Sequence, residues 1–298
     1  MQSSRAFSPG HVTGFFSIRP HADPLHHGSL GAGFSVGMGV TTTVTSRGSD
    51  KVTLNGEPLN DAPVSRALLR LFRSRTGWKP PVTIAHETDL PVGCGFGTSG
   101  AAALSLALAL NELANTGLSQ DVCGELAHLA ELECGTGLGT VLGESHGGFK
   151  ASLKPGAPGT GVVQPLPSPE GLTSVFVVLG PLATSAMLKN PAIRDAVNRE
   201  GEVLRIALLK DPRWSEFLRL SERFGRQTKL VGPQLAEIQK KLALSGLMAP
   251  MLMFGNGLFT LVERVGTAAA VAAFSQIGEG RVFSCELDPK GGRLLHEN

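Results

Sequence analysis

The chain has 298 residues, 42% hydrophobic and 17% charged, with a formal net charge of +2. That length admits two ordinary domains or one large one, and the apolar content excludes a disordered chain. The weak charge argues against nucleic acid as the main partner.

Arg66, Arg70 and Arg73 fall at helical spacing, the pattern of a solvated helix face rather than a binding patch. The N-terminus, Met-Gln-Ser-Ser-Arg-Ala-Phe, lacks the apolar core of a signal peptide. The longest apolar run, Ala101 to Leu110, is about half of what a membrane span requires. The expectation is a soluble cytoplasmic protein with no membrane partner. Cys94, Cys123, Cys134 and Cys285 form no C-x-x-C pair, so they read as reduced thiols.

In chain order, Phe34 to Thr45 is rich in Val and Thr and predicts a strand, with shorter strands at Val52–Leu54 and Pro81–His86. Val64 to Arg73 predicts an amphipathic helix. Ser99 to Leu113 is helical and apolar nearly all round, so it should be buried on most faces. Another helix starts at the N-cap residue Ser119 and runs to about Cys134, followed by a Gly-rich segment from Gly135 to Gly148. The stretch from Lys154 to Gly171 is dense in Pro and Gly and marks a boundary or a long hairpin. Beyond it come a strand at Ser174–Leu179, a helix from about Asn190 to Leu209 and two helices within 212–246. Strands near Met251–Met253 and Leu258–Val262, a helix at Thr267–Ile277 and a strand at Arg281–Leu287 complete the series. Two adjacent strands late in a strand–helix alternation suit an α+β layer of the ferredoxin-like kind.

The most informative stretch is Pro91-Val-Gly-Cys-Gly-Phe-Gly-Thr-Ser-Gly-Ala101. Gly93, Gly95, Gly97 and Gly100 allow a backbone path and close approaches that a Cβ would forbid. Thr98 and Ser99 then open the buried helix, whose first amides are unpaired and sit at the positive end of the helix dipole. A hydroxyl there can also hold Mg²⁺ beside bound phosphates. No G-K-[ST] follows the glycines, which excludes a Walker A loop. Gly95, Gly97 and Gly100 spell G-x-G-x-x-G, but Asp89-Leu90-Pro91 intervenes before the first glycine, and a second helix follows where a dinucleotide fold needs a strand.

The loop pattern P-x-G-x-G-x-G-[ST]-S-[AG]-A resembles the phosphate loop of the GHMP kinases, the superfamily of galactokinase, homoserine kinase and mevalonate kinase. Ser8–Phe16, Gly28–Gly33, His128–Glu133 with Gly135–Gly139, Leu179–Thr184 and Met251–Asn256 are similar to motifs of the archaeal pantoate kinases. The resemblance implies an α+β GHMP kinase fold, with a nucleotide-binding domain over 1–165 and a ferredoxin-like domain over 166–298. It implies ATP and Mg²⁺ as cofactors and pantoate as the small-molecule substrate. Pro91, Gly93, Gly95, Gly97, Thr98, Ser99 and Gly100 would bind the nucleotide, and Ser99 with Glu131 would hold the metal.

For the substrate, the resemblance points to Ser29, His128, Lys150 and Thr184, with Lys150 facing the carboxylate. Oxygen ligands suit Mg²⁺, which keeps few protein contacts. His21, His26 and His27 read as solvated loop residues rather than a metal site. One departure stands out. The family's Asp after the Gly-Leu-Gly turn, in the place of the catalytic base, is Thr140 here, and Glu144 is the nearest carboxylate. The expected activity is phosphorylation of pantoate. A kinase of another small alcohol and a silent nucleotide-binding member stay open, as does a homodimeric assembly.

Overall fold

The computed structural model describes residues 2–46, 48–182 and 190–296. Thr184 lies outside them. An eight-stranded sheet carries the first half of the chain, in the order β11-β1-β2-β5-β3-β4, with β6 pairing β2 and β7 pairing β6. Its strands are β1 (Ser3–Arg19), β2 (Gly28–Ser46), β3 (Lys51–Leu54), β4 (Glu57–Pro58), β5 (Val82–Glu87), β6 (Phe149–Lys154), β7 (Val162–Pro165) and β11 (Arg293–Leu294). All its pairings are antiparallel except β3 with β5.

The strand β1 was not predicted, because Pro9, Gly10 and Gly14 break the alternation expected of a strand. The structure absorbs them in irregularities at Pro9/Gly10 and Thr13/Phe15 of a ladder that runs from Ser3↔Thr45 to Arg19↔Gly28. Bulges of this kind let one long strand carry residues that a regular one would reject. Of the Pro- and Gly-rich stretch from Lys154 to Gly171, residues 155–161 form the turn of the β6–β7 hairpin, Val162–Pro165 form β7 itself, and the rest leads to β8.

Helices α1 (Pro63–Thr76), α2 (Thr98–Ala114) and α3 (Gln120–Cys134) cover one part of this sheet. Ala6, Val44 and Ile84 from the strands pack with Leu68, Phe72, Leu104 and Leu110 in a shared core. The α2 sequence is mainly Ala and Leu, strong helix formers, and Leu104, Leu106 and Leu110 are fully buried. The Ser119 hydroxyl accepts from the Val122 amide at the start of α3, and Gly135 closes the helix at φ 64°. On α1 the basic stripe is solvated and paired: Arg70 with Glu133 and Arg73 with Asp50.

The second sheet has the order β10-β8-β9, from β8 (Thr173–Pro181), β9 (Gly255–Val262) and β10 (Arg281–Glu286). Met251 bridges Leu258 on the free side of β9. The strand expected at Met251–Met253 is therefore a single bridge, standing where a fourth ferredoxin-like strand would lie. Helices α5 (Pro191–Lys210), α6 (Trp214–Gln227) and α7 (Pro233–Leu244) join β8 to β9, and α8 (Thr267–Ser275) joins β9 to β10.

The expected division at 165/166 falls between β7 and β8. The chain end nevertheless returns to the first sheet, where Ala6 pairs Leu294 and Val36 bridges Leu287. One aromatic core also spans both parts: Phe34 packs edge-on against Phe217 and Phe259. No helix among the described residues is long and apolar enough to cross a membrane.

Candidate active site

The Gly-rich loop runs from the end of β5 into α2. Gly95 (φ 90°) and Gly97 (φ 65°) take a backbone conformation that side chains rarely adopt. A Cβ on Gly95 would stand 2.6 Å from the Met253 carbonyl oxygen, and one on Gly97 would stand 2.4 Å from Glu144 Oε1. The His11 amide donates to the Phe96 carbonyl at 2.8 Å and anchors the loop to β1. The first closing bond of α2 runs from the Ala101 amide to the Gly97 carbonyl. The amides of Thr98, Ser99 and Gly100 thus have no partner within the helix, the arrangement that receives phosphate oxygens.

Glu131 lies in the last turn of α3 at 2% exposure, so it is not the solvated helix residue its sequence position alone would allow. Its Oε1 accepts from the Thr136 hydroxyl at 2.6 Å, while Oε2 is buried without a partner. Burial raises its carboxyl above the usual range, while the Thr136 hydroxyl bond and the nearby Ser99 hydroxyl pull it back. Ser99, at the start of α2, thus lies near the Glu131 carboxyl. A hydroxyl beside a carboxylate with one orphaned oxygen is a hard donor set that fits Mg²⁺.

Beside Gly97, a short helix α4 (Thr140–His146) occupies what the sequence suggested was only a Gly-rich segment. Its first residue, Thr140, shares a pocket with Ser29, Lys150, His11, Phe16 and Phe254. A Cβ on Gly139 would lie 3.3 Å from Ser29 Oγ, which places that hydroxyl beside the turn. Three of the expected substrate and catalytic residues, Ser29, Thr140 and Lys150, are thus brought together.

His128 is not among the residues lining this pocket. It is buried in α3, and its Nε2–H donates to the Pro24 carbonyl oxygen at 3.1 Å, holding the β1–β2 connection. The connection itself carries His21 and His26, whose rings lie 5.0 Å apart. Among the described residues no three or more His, Cys, Asp and Glu side chains come together as a metal-binding group.

Lys150 is 4% exposed, and its ammonium donates to Ser35 Oγ at 3.0 Å and to the carbonyls of Gly147 at 2.6 Å and Gly148 at 3.0 Å. Burial lowers its pKa to about 7, against the opposing pull of Glu144 and Asp288. All three donors are already engaged, so reading a substrate carboxylate requires Lys150 to exchange one of these partners.

Two buried groups carry more weight here than the sequence suggested. His11 lies on β1 with Nδ1 unpartnered, and burial together with the nearby Lys150 charge keeps its ring neutral, well below the usual imidazole range. Its only sequence signal was its place in the Ser8–Phe16 motif. Glu144 is fully buried, with neither oxygen hydrogen-bonded among the described residues. Desolvation first and Glu131 second push its carboxyl well above the usual range, with Lys150 opposing. It supports Gly97 and Gly100 from beneath and does not line the pocket. At the other end of the loop, Asn55 and the Thr88 backbone exchange two hydrogen bonds at the edge of a second, polar pocket.

Residues 63–144 match the family model of the GHMP kinases N terminal domain. The pantoate kinase of Thermococcus kodakarensis is 34% identical over 268 residues, which cover 87% of each chain. The chain belongs to the pantoate kinase family. The family's enzyme from Methanocaldococcus jannaschii is 31% identical over 258 residues, covering 87% of this chain and 92% of the relative. A solved structure described as a phosphotransferase related to the CoA biosynthesis pathway superposes with a TM-score of 0.89 at 30% identity, covering 99% of both chains. Membership in the pantoate kinase family makes the chain an ATP-dependent phosphotransferase with the GHMP kinase fold.

Proposed function

We propose that this chain phosphorylates the 4-hydroxyl of pantoate, yielding 4-phosphopantoate and ADP in coenzyme A synthesis. The observation that carries this reading is the adjacency of the phosphate loop and the Thr140 pocket, which meet at Gly97 within 3.6 Å of Thr140 Cβ for a Cβ placed there. The nucleoside half of ATP occupies the polar pocket at Asn55 and Thr88. Its phosphates follow the loop from Pro91 through Gly93, Gly95 and Gly97 to the amides of Thr98, Ser99 and Gly100.

Pantoate enters the pocket of Ser29, Thr140 and Lys150. Lys150 supplies positive charge toward its carboxylate, and the Ser29 and Thr140 hydroxyls orient the alcohol. Thr184 is a further proposed contact, and His128 contributes by fixing the β1–β2 connection beside Ser29. Ser99 and Glu131 would hold Mg²⁺, which when bound offsets the negative charge of the transferring phosphoryl group. The alcohol oxygen attacks the terminal phosphorus, the bond to the bridging oxygen breaks, and ADP leaves. Thr140 cannot take up the hydroxyl proton near neutral pH. In a loose transition state that proton departs late, to an oxygen of the transferred phosphoryl group and from there to water, so positioning and electrostatics supply most of the acceleration.

Thr140 favours a second reading, a nucleotide-binding member without turnover. Incubating the protein with ATP, Mg²⁺ and a panel of small hydroxy acids tests both, with phosphorus NMR following the product. Pantoate should be converted to a phosphomonoester ahead of the other acids. Conversion of a different acid in preference to pantoate would replace the substrate, and ATP binding without conversion of any acid would leave the silent member. We place the enzyme in the cytoplasm, and assembly as a homodimer is a further proposal.

A further inference from the structure

We propose that Phe254 sets the acceptor specificity of this kinase, its ring forming with Phe16 the apolar wall that receives the branched carbon of the substrate. The proposal rests on the pantoate reading and deepens it. Phe254 is one of four described non-glycine residues with positive φ; the others are Asn55, Asn115 and Lys229. Asn tolerates this region and Lys229 follows a helix end, but a bulky aromatic at φ 65° is a conformational outlier of the kind that persists only where its surroundings dictate it.

The surroundings are visible on both sides. The preceding Met253 carbonyl oxygen lies 2.6 Å from where a Cβ on Gly95 would stand, and a Cβ on the following Gly255 would lie 2.1 Å from the Cys94 carbonyl oxygen. The Gly255 amide also closes a turn onto the Leu252 carbonyl at 3.1 Å. The backbone on either side of Phe254 is therefore pinned beneath the phosphate loop, while its side chain lines the acceptor pocket. Its ring sits 5.3 Å from that of Phe16, centroid to centroid. Phe16 is itself held 5.7 Å from Phe224 and is 3% exposed, so the half-buried Phe254 presents the accessible part of the wall.

The same pocket also offers polar groups, among them Ser29, Thr140 and Lys150. An acceptor with a carboxylate and hydroxyls at its ends and two methyls on a central carbon matches that division. An acid without the methyls would keep every polar contact and lose only the aromatic one.

The test compares kcat/KM for pantoate with that for 2,4-dihydroxybutanoate, which keeps both hydroxyls and the carboxylate but lacks the two methyls. The wild-type protein should prefer pantoate by about tenfold or more, the discrimination two buried methyl groups supply. In Phe254→Gly, which suits the backbone conformation, the preference should fall to within about threefold through a higher pantoate KM, with the KM for ATP held within about twofold. Phe254→Leu should give an intermediate preference, and decides the matter if the glycine variant does not fold. An unchanged preference in either folded variant overturns the proposal. So does an equal rise in both KM values, which would mark Phe254 as a structural support of the loop. A wild-type protein that converts neither acid sinks the substrate reading along with this one, whereas pantoate turnover with an unaltered ratio sinks only this one.

Discussion

Gly255 and Cys94 meet backbone to backbone: a Cβ on Gly255 would stand 2.1 Å from the Cys94 carbonyl oxygen and 3.0 Å from the Gly95 amide nitrogen. The phosphate loop of the first sheet is thereby seated on the chain that enters β9 of the second. Gly255→Ala cannot be accommodated by a side-chain rotation, because the obstacle is backbone. The loop must shift, and ATP affinity measured by calorimetry should fall at least about tenfold while the protein stays folded. Gly97→Val should act more severely, since it combines a strained φ with a clash against Glu144. Undiminished ATP binding in both variants would remove the loop from the nucleotide site.

Ser99→Ala and Glu131→Gln test the metal pair. Each should cut turnover by about 10²–10³-fold, the cost of losing one electrostatic contact to the transferring group, with pantoate binding little changed. Steady-state kinetics over a range of Mg²⁺ concentrations should show that the required metal concentration rises. Near-normal turnover in Glu131→Gln would leave its unpartnered oxygen without a role.

Lys150 carries a pH signature. Its pKa is about 7 in the folded protein against an ordinary value of 10.5, so between these limits the unfolded chain holds the extra proton. Stability should therefore rise with pH across that window, and the cost of burying the charge is felt in full below it. Thermal melts of wild type and Lys150→Met between pH 7 and 10 should differ in slope, the variant being flatter. The variant should also lose stability at pH 9, by about 1–3 kcal/mol, because the Gly147 and Gly148 carbonyls lose a donor. Lys150→Ala should raise the pantoate KM about tenfold and leave that for ATP nearly untouched. Parallel slopes would show that Lys150 stays charged in the folded state.

Thr140→Asp should accelerate pantoate phosphorylation at neutral pH, since a positioned base typically contributes about 10²–10⁴-fold elsewhere and only part of that is needed in phosphoryl transfer. The acid would also sit at the first turn of α4, where the helix dipole favours it. Glu144→Gln should change turnover by less than about threefold, because Glu144 is sealed beneath the loop, away from the acceptor. A larger loss in Glu144→Gln, together with no gain from Thr140→Asp, would make Glu144 the base instead.

The sequence by itself determined the path of the Gly-rich loop and the buried helix behind it. These depend on local chemistry, namely glycines where a Cβ is forbidden and hydroxyls at a helix start. The pairing of Ser99 with Glu131 came instead from the family resemblance. It also marked Ser29, Thr140 and Lys150, through motifs that each lie within a few residues of chain. Only the tertiary structure decided which of these groups meet and in what state. β1 escaped prediction because its bulges are set by its partner strand, and His11 and Phe16 went with it. Lys150 could not be read as buried and fully bonded, because its partners come from Ser35 and from the Gly147–Gly148 turn, itself tied to Asp288 at the far end of the chain. The lowered pKa values of Lys150 and His11 and the raised one of Glu144 follow chiefly from desolvation, which is a property of the packed core and of no single segment.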